Sequence, residues 1–171
     1  MNEIEEIFKV LIGEISWGVQ KTHGSCFYIE FGDPGIKTLG PLNVGHDAPI
    51  GQIRRTRRRR AVLHGQWSIL IQDCMWMLQA WEIVITQDTA PVEMKTAFDA
   101  LSGQYLVSVH YDEAKKSCTF EFDLGARLTT TPVPDGNSDW VQWTLNDLDG
   151  RYIRLLNSGK LIRTSSDPDK I

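Results

Sequence analysis

The stretch from Gly65 to Ile85 constrains the fold of this chain more than any other. Its odd-numbered positions Trp67, Ile69, Ile71, Met75, Met77, Trp81, Ile83 and Ile85 are apolar, and a period of two suits a pleated surface with one face in a core. The pattern predicts a central β-hairpin. Trp76 falls on the even face with Gln72 and Glu82, which directs one large aromatic toward a second layer, a cavity or a partner.

Strand patterns continue on both sides. Ile15, Trp17 and Val19 alternate, His23-Gly24 reads as a turn, and Phe27, Ile29 and Phe31 alternate again, with Cys26, Tyr28 and Glu30 on the opposite face; this predicts a second hairpin. Gly32-Asp33-Pro34-Gly35 is expected to stop that strand. Later runs over 105–111, 118–122, 127–131, 140–145, 152–156 and 161–163 read as a meander of short antiparallel strands.

Two helices are expected. Ile4, Ile7, Phe8, Leu11 and Ile12 recur at helical spacing ahead of Gly13, and residues 90–102 carry a stripe that opens at Pro91 and closes at Gly103. No strand-helix-strand alternation suggests a parallel sheet. The fold class expected is therefore α+β, mostly antiparallel, with a strongly bent sheet or partial barrel and two helices packed on it.

A chain of 171 residues with 42% apolar composition suits one domain with a substantial core. Residues 33–53 lack a sustained apolar period, so an excursion is expected over about 33–60, and a polar tail over about 165–171. No apolar run spans a bilayer and no basic leader precedes Glu6, so a cytoplasmic location and no membrane partner are expected. The three cysteines, at 26, 74 and 118, include no paired spacing and are expected to be reduced thiols.

Net charge is −4, yet six of the seven residues from Arg54 to Arg60 are arginines, so the remaining 12 basic and 22 acidic residues leave a balance of −10. In an extended strand Arg55, Arg57 and Arg59 would share one face. The run suits an acidic protein surface, the acidic body of the same protein, or the role of a charged edge that blocks aggregation. Nucleic acid fits less well, because the rest of the protein is acidic.

Chemistry-bearing residues are sparse. His23 and Cys26 share a ligand-like spacing with His46, His64 and His110 elsewhere, but the paired spacings of a zinc site are missing, so no metal is expected. Cys26 is the one plausible thiol nucleophile, and Glu30, Glu121 and Asp123 are the carboxylates that could meet across strands. No phosphate loop, dinucleotide fingerprint, zinc-protease helix or nucleophile elbow occurs; no catalytic residue and no cofactor are assigned. A ligand cavity, if present, would be lined by Trp76, Tyr28 and Glu30, with Arg55, Arg57 and Arg59 available to an anion.

Glu30-Phe31-Gly32, Gly65-Gln66-Trp67, Cys74-Met75-Trp76, the strand end Phe122-Asp123-Leu124-Gly125 and Trp143 together resemble small single-domain bacterial proteins of unassigned activity, some of them similar to immunity partners of polymorphic toxins. The resemblance implies a non-enzymatic binding protein, and the −10 balance suits a protein-interaction domain that uses its acidic surface and exposed aromatics to occupy a basic protein partner. A small-ligand or anion-binding barrel is the alternative expectation, and a thiol or metal-dependent enzyme the third. A homodimer is compatible with either of the first two.

Overall fold

The computed structural model describes residues 2–41, 45 and 47–164. His46 and the tail from Ser165 therefore lie outside the described residues. The first helix, α1 (Glu3–Ile7), starts on a reciprocal cap: Asn2 Oδ1 accepts from the Glu5 backbone N–H at 2.9 Å, and the Glu5 carboxylate accepts from the Asn2 N–H at 3.3 Å. It tightens into a 3-10 turn, Phe8–Leu11. That turn drives Phe8 into the core, where it meets Phe120 and Trp143 edge-on at 5.1 and 4.9 Å.

Two antiparallel sheets enclose this core. The first orders six strands as β1 (Ser16–Lys21), β2 (Phe27–Leu39), β3 (Arg60–Ile71), β9 (Val141–Asp147), β10 (Tyr152–Leu156) and β11 (Leu161–Thr164). The second runs β5 (Ile83–Thr86), β4 (Met75–Ala80), β8 (Arg127–Thr131), β7 (Ser117–Phe122) and β6 (Leu106–Asp112). One isolated bridge, Ile15 to Tyr105, links them beside β1 and β6. The α+β, mostly antiparallel class is as expected, but the single bent sheet is two sheets and no closed barrel forms among the described residues.

The expected central hairpin is a corner instead. β3 and β4 belong to different sheets, and Gln72 and Asp73 extend the β3 ladder by donating to Gln142 O and Val141 O before the chain crosses at Cys74. Crossing in three residues reverses the parity: Ile69 and Ile71 are buried from the first sheet, whereas Cys74, Trp76, Leu78 and Ala80 are buried from the second and Met75, Met77 and Trp81 face out. Both faces of 75–81 are apolar in sequence, so periodicity alone could not choose between them.

The third helix, α3 (Pro91–Leu101), has Pro at its first position and ends at Gly103 with φ of 92°. Its Phe98 stacks on Phe27 at 5.0 Å, and Trp76 closes the cluster at 4.8 Å from Phe27. A further helix, α2 (Ile50–Thr56), was not expected; it lies between β2 and β3. Among the described residues no helix is long and apolar enough to cross a membrane.

Candidate interaction surface

Gly32-Asp33-Pro34-Gly35 does not end the strand. The register between β2 and β3 slips between Phe31 and Pro34 and then resumes through Ile36↔Leu63 to Leu39↔Arg60. A glycine at φ of 72° absorbs this bulge. The expected loop over 33–53 therefore begins as half of a two-stranded ribbon that leaves the body. The other strands stop at its root, since β1 pairs with β2 only as far as Phe31 and β9 with β3 only as far as Trp67. Among the described residues, 33–39 and 60–66 thus pair only with each other, and both outer edges of the ribbon carry unpaired backbone groups.

The root is closed by a buried carboxylate. Glu30, 5% exposed, accepts the Gly65 N–H at 2.8 Å through Oε2, which also lies 3.7 Å from His64 Nδ1. His64 Nδ1 sits 2.6 Å from Gly65 O, which assigns the ring proton to that nitrogen. Gly18 on β1, at φ of 58°, leaves room for the Glu30 methylenes, and the Trp17 indole N–H donates to Gly32 O at 2.8 Å. His64 is a strand residue. Among the described residues no Ser, Thr or Cys side chain bonds His64, and the Glu30–Gly65 hydrogen bond ties the ribbon to the body.

Beyond the root, Ile36 and Leu63 form a cross-strand pair on the face that continues the core side of the sheet. Among the described residues nothing covers them, and they are 75% and 68% exposed. At the tip, Arg54 and Arg55 occupy the last turn of α2, where the helix dipole favours cations. Arg57 caps that helix, Arg58 and Arg59 follow, and Arg60 opens β3. The run is thus helical and then turning, and the extended-strand arrangement with Arg55, Arg57 and Arg59 on one face does not form. All six are exposed, and none lies within ion-pairing distance of a carboxylate among the described residues.

Tyr28 and Glu30 share the outer face of the six-stranded sheet, where the Tyr28 hydroxyl donates to Gln20 Oε1 at 2.8 Å. Burial, then the Glu30 charge, raise the Tyr28 pKa. Trp76 points the other way, into the core, with its indole N–H on Ser25 O at 2.8 Å. It therefore shares no cavity with Tyr28 and Glu30. Trp76 does floor a shallow depression of about 340 Å3 beside Met77 and Gln87, and another of about 420 Å3 opens between Gln20 and Lys95; Tyr28 and Glu30 line neither. Cys26 is a poor thiolate, since burial and then Asp73 raise its pKa. No three His, Cys, Asp or Glu side chains gather as a metal site would require among the described residues. Glu121 is tied to Ser108 and Arg127, and Asp123 to the Tyr105 N–H, so neither carboxylate meets Glu30.

Trp81, which the alternation places with the core-facing residues, is exposed instead. Trp81 turns the β4–β5 hairpin at φ of 53° and is 64% exposed, a conformation that bulky side chains rarely adopt. Large aromatics dominate binding energy at interfaces, and strain held at an exposed position points to use rather than stability. Trp81→Asn should relieve about 1 kcal/mol and raise Tm by about 2–4 °C in a chain of this size. An unchanged or lower Tm by calorimetry would show that the turn is not strained.

The chain matches no protein-family model, no curated protein and no solved structure.

Proposed function

We propose that this chain is a non-enzymatic protein-interaction domain, immunity-like in kind, whose binding element is the ribbon of residues 33–39 and 60–66 with the arginines of 54–60 at its tip. The observation that carries this reading is the ribbon itself: it projects past both neighbouring strands with open edges, an uncovered Ile36–Leu63 pair and six exposed arginines. None of those features serves the core. Open edges accept strands, and charge accelerates encounter and sets specificity. The body, at −10 outside the run, is the complementary surface for a basic partner.

The test is anisotropy titration of two anionic probes, a polyglutamate peptide and a short DNA duplex. Binding of the peptide should fall by about tenfold or more when Arg55, Arg57 and Arg59 are replaced by Gln, a loss of at least about 1.4 kcal/mol. It should also weaken sharply between about 0.1 and 1 M salt, as the screening length drops from about 10 to 3 Å. Preference for the duplex would move the assignment to nucleic acid. Peptide binding indifferent to the three substitutions would overturn the reading.

A further inference from the structure

We infer that the partner of the ribbon is a second copy of this chain, added antiparallel to the open edge of β3 about a two-fold axis near Leu63. This rests on the reading of the ribbon as a binding element and names its occupant. Three observations lead to it.

Of the two open edges, β3 is the better template. Residues 60–66 read Arg-Ala-Val-Leu-His-Gly-Gln in unbroken register, whereas β2 carries the bulge between Phe31 and Pro34 at the root of its free edge, a feature that twists an edge away from pairing. Antiparallel pairing about Leu63 sets Leu63 against its equivalent, Ala61 against Gly65 and Arg60 against Gln66, so that each copy satisfies the other's unpaired backbone groups. The two Leu63 side chains then meet, with an Ile36 flanking each on the same face, and four exposed apolar side chains cover one another.

Charge fixes the direction. A parallel arrangement would stack two six-arginine tips, and like charges so close repel. In the antiparallel one the tips separate by the length of the ribbon, about 20 Å for its six or seven paired residues. The β3 edge beyond Trp67 is occupied by β9, which pairs Asp147 with Trp67. A strand added over 60–66 therefore ends against the turn that follows β9, and Arg58 and Arg59 of each copy arrive at Asp147, Leu148 and Asp149 of the other. Asp149 projects from that turn with its side chain 78% exposed and only a 3.4 Å contact to Arg151. The basic run and the acidic body become each other's counter-surface.

Sedimentation velocity on the full chain, at low and high salt, reads the outcome. The wild type should be a dimer at high micromolar concentration and low salt, Leu63→Lys should weaken it by about tenfold or more, and Asp149→Lys should weaken it with the fold intact by circular dichroism. In a Cys26→Ser background, Leu63→Cys should form an intermolecular disulfide on mild oxidation, because facing positions of an antiparallel pair lie within about 4.5–5.5 Å. A monomer at every concentration and salt overturns the inference, as does a dimer that neither Leu63→Lys nor the disulfide variant detects. If the monomer still binds polyglutamate through its arginines, the interaction reading survives and only the occupant is wrong; if it binds neither, both fail.

Discussion

Gly65→Ala should cost upward of about 4 kcal/mol, a loss confined to a few mechanisms such as overpacking against fixed neighbours. A Cβ at Gly65 would lie 2.5 Å from Phe31 O, 2.8 Å from Phe31 N and 2.8 Å from Trp67 O. All three are backbone atoms of paired strands, so no rotamer change makes room. The displaced strand would also pull the Gly65 N–H from Glu30 Oε2, now 2.8 Å away, and leave a buried carboxylate short of its donor, worth about 1–3 kcal/mol on its own. Since small domains are stable by only about 5–15 kcal/mol, urea unfolding should show a sharply lower midpoint. Glu30→Gln, which keeps an acceptor oxygen for the same N–H, should cost less than about 1.5 kcal/mol. Equal, small effects of the two substitutions would mean that the ribbon root is looser than its geometry implies.

The strands of the two sheets were legible because alternation reports burial wherever one face is wet. Phe27, Ile29 and Phe31, and Cys118, Phe120 and Phe122, are buried as their spacing predicts. Register slips were not legible. The bulge between Trp17 and Gln20 puts Trp17 opposite Glu30 on the outer face rather than with Val19, and the slip between Leu106 and Ser108 buries Leu106 where the alternation favoured Tyr105 and Val107. One extra residue reverses every later side chain, and only backbone geometry shows it.

The candidate site divides in the same way. Arg55, Arg57 and Arg59 are conspicuous in any reading, yet their placement at the end of a short helix depended on Ile50 to Ile53, a stretch too short for a helical period. Glu30 was singled out for its place among aromatics, but its role at the ribbon root required knowing that Gly65, 35 residues on, lies across the ladder. Trp81 was lost because its apolar character was absorbed into a period that the corner at Cys74 had already broken.

The protein should lose stability steeply between pH 9 and 12 as a buried thiol is forced to ionise. Cys74 is buried, its thiol directed at Gln142 O at 3.4 Å, and burial above all, with the nearby Cys26 and Asp73, pushes its pKa from 9.0 up to about 12 against the lowering effect of the Gln72 backbone. The folded pKa exceeds the unfolded one, so the folded state holds its proton longer. The stabilisation is full below pH 9 and is lost as pH rises from 9 to 12. Three pKa steps correspond to about 4 kcal/mol. Cys118 acts in the same direction: burial raises its pKa too, although the Trp143 indole, which meets no oxygen or nitrogen acceptor, faces its sulfur and would favour the thiolate. Cys74→Ala removes the first contribution. It should cost about 1–2 kcal/mol at neutral pH for the lost packing, then lose stability less steeply than the wild type above pH 9, so that the two urea midpoints converge and cross before pH 12. Parallel curves across that window would mean that the Cys74 thiol ionises as easily in the fold as out of it, and that the corner between the two sheets admits water.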